Sequence, residues 1–325
     1  MKTRMYSTRL FIGVGILLIA GCDSATIDTQ LGDIEYMPVV SAPAYAPDQG
    51  PVVLVDAAHG NFHTIDGRYG AFARLLEADG CVVRSADDPA TRDLLDQADV
   101  YVISNAIKGG EDAEWVLPAV SAFTSDEISA IRGWVEDGGA LLLIADHMPM
   151  PGATADLAAA FGFVFYNGFA FRKGTGGGGL FTMSRADGTL ADHPITRGRN
   201  ESERIESVMI FTGQAFRPPD DAAPLLIVPP GVEILLPSVA WEFSERTPRV
   251  AADGLLQGAA LRVGKGRIAV FGEAAMFTAQ RGVENGEVSL FGMNHPEARD
   301  NEQFVLNVIH WLTGLLDPDQ QFARR

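Results

Sequence analysis

The sequence predicts an α/β protein, a three-layer sandwich with a mostly parallel central sheet in a single domain. Short apolar runs such as Val52–Val55, Val100–Ile103 and Ala140–Ala145 carry no polar alternation, which is how strands covered on both faces of a parallel sheet read. Stretches with apolar residues at helical spacing separate them, which is the order of βαβ units. Each run ends in polar residues. In open α/β sheets ligands bind outside the carboxyl ends of the strands, so those residues are where chemistry is expected.

Taken in order, Pro51–Val55 is the first strand, and it ends in Asp56-Ala-Ala-His59-Gly-Asn61-Phe-His63. Tyr69, Phe72, Leu75 and Leu76 then recur at helical spacing up to Gly80. Val82-Val83 begins a second strand, Leu94-Leu95 lies in a brief helix, and Val100–Ile103 is a third strand ending in Ser104-Asn105. Thr124-Ser-Asp-Glu127 is a capping box that opens a helix with Ile128, Ile131, Trp134 and Val135 on its apolar face. The central strand follows and ends in Asp146-His147-Met-Pro149. After a short helix from Thr154 to Phe161 comes an aromatic stretch, and then Lys173-Gly-Thr-Gly-Gly-Gly-Gly179, expected as a mobile flap. No GK[ST] follows those glycines, so they do not make a phosphate loop. Val208–Phe211 and Leu225–Val228 read as strands, and Gly258–Val263 with Arg267–Phe271 reads as a hairpin. Its second arm ends in Gly272-Glu273. Asp300 is expected to cap a last helix carrying Phe304, Val305, Val308, Ile309 and Leu312.

The chain has 325 residues, 47% hydrophobic and 21% charged, enough for a sizeable core. Lys2, Arg4 and Arg9 precede the apolar run Leu10–Ala20, which closes on Ile19-Ala-Gly-Cys22. The run is too short for a spanning helix and has the layout of a secretory signal. Its last four residues are similar to a bacterial lipobox. The resemblance implies that residues 1–21 are a signal peptide and that acyl chains such as palmitate anchor Cys22 to the cell envelope, on the periplasmic or extracellular side, in either membrane. Residues 22–49 are polar and then Pro- and Ala-rich, and are expected as a flexible tether. The domain would span 50–314, with a polar tail at 315–325. Losing residues 1–21 removes three positive charges and no negative ones, taking the net charge from −17 to −20. Such acidity disfavours nucleic acid and anionic lipid. Cys81 then stands alone in an apolar setting, expected as an inert buried thiol.

Four stretches resemble the class I glutamine amidotransferase-like superfamily, a flavodoxin-like α/β fold. They are Asp56-Ala-Ala-His59-Gly-Asn61, Asp192-His-Pro-Ile-Thr-Arg-Gly198, Gly264–Glu273 and Asn301–Leu312. The nearer likeness is to branches of trehalose-utilisation type and to domains of gliding-motility and intraflagellar-transport proteins. Amidotransferase activity is not implied. Those enzymes place a cysteine on a sharp turn after a strand, whereas Ser104-Asn105 stand here and no Gly-x-Ser-x-Gly elbow occurs. Ser104 as a substitute nucleophile is the weaker reading, since a strand-end serine more often serves the local backbone.

The strand ends bring Asp56, His59, His63, Asn105, Asp146, His147 and Glu273 towards one edge. Imidazole with carboxylate is the ligand mix of zinc and similar divalent ions, so His59, His63, Asp146 and His147 are the candidate ligands. Asp56, Glu273 and Asn105 are the candidate catalytic groups. The same residues also read as turn caps and half-buried hydrogen-bonding groups. His193 before Pro194 is expected to be structural, and His310 a surface or packing residue. Two functions fit: a hydrolase, metal-assisted, acting on a small or carbohydrate-like substrate, or a non-catalytic ligand-binding or assembly module of a membrane-associated complex. Substitution of Cys22 by Ser is expected to abolish acyl labelling and release the protein from the membrane fraction. Unchanged membrane association would rule out the lipid anchor.

Overall fold

The computed structural model describes residues 27–175, 181–284 and 287–317. The leader, Cys22 and most of the glycine run lie outside them. The first half follows the sequence reading closely: β1 (Ile27–Gly32), β2 (Val52–Asp56), α1 (Gly70–Ala78), β3 (Val82–Ala86), α2 (Arg92–Leu95), β4 (Val100–Ser104), α3 (Ser125–Asp137) and β5 (Ala140–Ile144). The main sheet runs β3-β2-β4-β5 and continues with the strand Gly266–Phe271, all parallel. Beyond that strand the sheet turns antiparallel through Leu256–Val263 to the short strands 216–217 and 164–165. The hairpin turn needs Gly264, whose φ is +58° and whose Cβ would lie 2.4 Å from the Glu136 carbonyl oxygen.

Successive residues of each parallel strand point to opposite faces, and both faces are covered. Val53, Val55, Val102, Leu142 and Ile144 pack with Phe72, Leu75 and Leu76 of α1 and with Phe304, Val308 and Ile309 of the last helix, Asn301–Leu312. Leu54, Tyr101, Ile103, Leu141 and Leu143 pack with Ile131, Trp134 and Val135 of α3. This explains the unalternated runs. A strand with two dry faces has no position for a polar side chain, and each fully buried Leu, Ile, Val or Phe contributes roughly 1.5–3 kcal/mol.

Several expectations change. The segment expected as a tether is a strap laid on the domain: β1 pairs with Ala279–Glu284, which pairs in turn with Glu287–Gly292. Past β1, Arg74 donates to the carbonyls of Asp33 and Tyr36, the Tyr36 hydroxyl bonds Glu302 and the Met293 carbonyl, and Ala44 N–H donates to Asp79. The polar tail also begins later than expected, because Leu315 and Leu316 are buried and Asp317 pairs with Arg262 and Arg267. Asp300 sits at the N-cap of the last helix, yet its side chain accepts from Glu206 and Ser207 amides instead of capping. His193 does cap, accepting from the Ile195 amide. His310 is a packing residue, fully buried, with Nε2 2.7 Å from Asp79. Cys81 is buried, and burial with the nearby Asp79 and Asp99 pushes its thiol up to about 12, consistent with an inert group.

A packed strap makes a definite proteolysis pattern. Brief chymotrypsin treatment should leave the bonds after Tyr36 and Tyr45 intact, as read by mass spectrometry of the products. First cleavage there would mean that the segment is a free tether.

Candidate functional site

Right-handed crossovers put the loops after β2, β4, β5 and Gly266–Phe271 on one edge of the sheet. The side chains on those loops divide into two groups that face opposite sides.

The first group is a buried clamp. Asp56, fully buried, holds His59 Nδ1 at 2.8 and 2.9 Å from its two oxygens and accepts the Tyr101 hydroxyl at 2.9 Å. His59 Nε2 lies 2.8 Å from Glu127 Oε1, and Phe123 stacks on the ring at 4.1 Å. Glu127 is the third residue of α3 and closes its capping box, so the clamp ties the end of β2 to the start of α3. Burial alone would lower the His59 pKa, but the hydrogen bonds and charges of Asp56 and Glu127 outweigh it and the net shift is upward. Burial would raise Glu127; hydrogen bonds from Thr124 and His59 instead bring it down to about 2.

The second group centres on the other face. His63 is buried, stacks on Tyr69 at 4.9 Å, and has Nδ1 3.3 Å from Ser104 Oγ. Ser104 donates to the Tyr69 hydroxyl at 2.8 Å. Burial, together with Arg68 and His147, lowers His63 to about 3, so its imidazole is neutral at ordinary pH. Asn105 follows with φ +49°, a left-handed conformation that asparagine tolerates better than most residues. The chain therefore turns sharply just after β4, and the residue at the turn is an asparagine. Asn105 joins three loops: its side-chain oxygen accepts the Asp146 amide at 2.8 Å, its carbonyl accepts the Phe62 amide, and its own amide donates to Ile144.

Asp146 accepts from the amides of His147 at 2.7 Å and Ala274 at 3.2 Å. Glu273, fully buried, accepts from the amides of Ala275 and Met276 at 2.8 Å each. Burial raises both carboxyl groups, and the Asp146 charge pushes Glu273 up further, against the backbone bonds that favour its ionised form. Both carboxyls are thus held towards their neutral forms relative to solvated carboxylates.

His147 stands in an aromatic frame. It stacks on Phe169 at 4.7 Å and meets Trp241 at 4.7 Å and Trp115 at 5.7 Å. A carbonyl can only accept, so the 2.8 Å contact from Nδ1 to the Met148 oxygen puts a proton on Nδ1, and in the neutral ring Nε2 is then the acceptor. No partner for Nε2 is seen among the described residues. Trp241 is 47% exposed and held at φ +68°, a conformation rare for a bulky residue.

The expected ligand quartet is not assembled. Both nitrogens of His59 are taken by carboxylates on the α3 face, His63 is on the α1 face, and the Asp146 oxygens are turned to backbone amides. Among the described residues no three His, Cys, Asp or Glu side chains are placed to hold one ion. Asp56 is likewise committed to His59 and Tyr101 and is not free to act as a base. Asn105, Asp146, His147 and Glu273 lie together, joined by the Asn105 and Asp146 hydrogen bonds. Sequence reasoning missed Tyr69, Glu127, Trp115 and Trp241. Only Glu127 had a sequence signal, the capping box, and that signal points to a helix start.

No family model matches the chain, and no curated protein matches it in sequence. The structure resembles the protein described as mmIFT52 N-terminal domain at a TM-score of 0.53 and 13% identity, covering 81% of this chain and 97% of that one. A ThuA-like protein from Bacteroides uniformis aligns at 0.46 and 13% identity over 85% and 94% of the two chains. A GMP synthase component from Thermoplasma acidophilum aligns at 0.41 and 11% over 84% and 98%. At such identities the likeness is one of fold alone. The likeness to the intraflagellar-transport domain agrees with the α/β fold expected from the sequence.

The clamp gives a stability prediction with a definite sign. A histidine with a raised folded pKa contributes fully below its unfolded value near 6.5, and the contribution is lost as pH rises through the folded pKa. His59→Gln should therefore lower unfolding stability by about 3 kcal/mol near pH 5.5, with the deficit shrinking in alkaline buffer. Chemical denaturation of both proteins across pH measures this; a deficit that grows with pH would contradict the clamp.

Proposed function

We propose that this is a lipid-anchored protein of the bacterial cell envelope that binds a small polar, carbohydrate-like ligand at the carboxyl edge of its sheet. The carrier is a single three-layer domain of the class I glutamine amidotransferase-like type without the amidotransferase cysteine. The observation that supports ligand binding best is His147: an imidazole with its tautomer set by the Met148 carbonyl, its Nε2 an acceptor, framed by Trp115, Phe169 and the exposed Trp241. A flat apolar surface beside a fixed acceptor suits a ligand with an apolar face and hydroxyl edges.

Hydrolysis at the same edge is the second reading, favoured by the Asp146–Glu273 pair. Both carboxyls are raised, Glu273 further through the Asp146 charge, and two carboxyls with pKa values pushed apart by their surroundings suit acid–base catalysis. It requires no metal quartet. Against it, the oxygens of both carboxyls already accept backbone amides, and Glu273 is fully buried.

Intrinsic fluorescence titration with a panel of mono- and disaccharides tests the binding reading. A true ligand should quench Trp115 and Trp241 and raise the melting temperature. His147→Ala should weaken binding about tenfold, the equivalent of one lost hydrogen bond of roughly 1.4 kcal/mol, with the fold unchanged. If no sugar quenches or stabilises the protein, the reading falls. Turnover of a bound sugar that disappears in Asp146→Asn would select the hydrolase.

A further inference from the structure

The exposed large apolar side chains are not spread evenly over the described surface. Six of the eleven lie on the strap and the hairpin it pairs with: Leu31 at 61% exposure, Ile34 at 84%, Met37 at 66%, Val39 at 79%, Val283 at 37% and Val288 at 56%. Strand register sorts the sheet residues further. Leu31 is opposite Arg281, Arg281 is opposite Leu290, and Val283 is opposite Val288. Cross-strand partners and residues two apart share a face, so Leu31, Val283, Val288 and Leu290 all project from the outer face. The inner face carries Gln30 and the buried Gln280, hydrogen-bonded to each other at 3.1 Å. Phe291, opposite Gln280, packs inward against Phe211, while the outer face leaves Leu31, Val283 and Val288 exposed around Arg281, an apolar surface with no protein covering it among the described residues.

Chain length says what covers it. β1 begins at Ile27, so only residues 23–26 lie between it and Cys22, and even a fully extended chain of that length reaches at most roughly 18 Å. The strap leaves no slack further on, because it is bonded to the domain from β1 to Tyr45. An acylated Cys22 would therefore keep this sheet close to the bilayer. We infer that the outer face of the sheet formed by β1, Ala279–Glu284 and Glu287–Gly292, with Ile34, Met37 and Val39 beside it, seats on the lipid surface next to the anchor. This rests on the reading of Cys22 as lipidated. The only basic side chain in the sheet face, Arg281, is paired with Glu35 at 2.8 Å, so the face offers no free cation to anionic headgroups and suits zwitterionic lipid.

The seating also places the candidate site. Arg68 donates from Nη2 to the Gln30 carbonyl of β1 at 2.7 Å and lies over the Phe62 ring at 4.0 Å, so the strap touches the loop that carries His63. The strand-edge cluster is thereby tied to the membrane-facing side of the domain.

The test uses the full lipidated chain in phosphatidylcholine–phosphatidylethanolamine vesicles containing a lipid-borne quencher. An environment-sensitive fluorophore is attached to Ile34→Cys, Val288→Cys or, as control, Val164→Cys at the far edge of the main sheet; Cys81 is buried and stays unlabelled. Acyl labelling of Cys22 is measured on the same preparations. With the label present, quenching at 34 and 288 should exceed that at 164 several-fold. Equal quenching at all three positions overturns the inference while leaving the anchor intact. Shielding of 34 and 288 from aqueous iodide without lipid quenching points to a protein partner and overturns it as well. Absence of the acyl label removes the anchor itself, a failure distinguishable from the others.

Discussion

The Asp56–His59–Glu127 clamp is the interaction on which the strand-edge architecture depends. It crosses from the end of the first parallel strand to the first turn of α3, with Asp56 and His59 buried and Glu127 at the edge of the solvent. Such a pair does not stabilise much relative to a well-packed apolar alternative, because desolvation opposes the Coulomb attraction; losing one partner is what destabilises strongly. Its effect is therefore mainly on conformation. With His59 fixed, its carbonyl accepts the Ile107 amide, and the loop carries His63 round to the opposite face beside Ser104 and Tyr69. One histidine is used to hold the loop so that the next one is placed.

Asn105 extends that constraint to the other loops. Its left-handed backbone aims the side-chain amide at Asp146 while its main chain binds the loops before and after. Only a short polar residue or glycine takes that conformation readily, and only a side chain with an acceptor can meet the Asp146 amide. The buried carboxyls that follow are governed by competing terms. Backbone amides favour ionisation of both, but burial prevails at each, helped at Glu273 by the Asp146 charge, so both are raised above the usual carboxylate range.

The strap shows the limit of a composition argument. Residues 33–50 contain no regular element, and prolines and alanines without periodicity read as a linker. They are nevertheless ordered by groups distant in sequence, with Arg74, Asp79, Glu302 and Met293 receiving or supplying their hydrogen bonds. A chain whose polar backbone groups are satisfied from outside needs no periodic pattern of its own.

The sequence by itself determined the parallel strands, the covering helices and the edge where polar residues gather, because these follow from local periodicity, caps and the polar ends of apolar runs. Asn105, Asp146, His147 and Glu273 were legible for that reason. Tertiary structure alone decided which side chains meet. His59 and His63 are four residues apart yet face opposite sides of the sheet, and that direction depends on Gly60 at φ +63° and on Glu127, far along the chain. Trp241 and Trp115 reach His147 from loops with no motif, and β1 finds its partner strand across 250 residues of sequence. Pairings of that kind are fixed by the packing of the whole chain, and no local pattern records them.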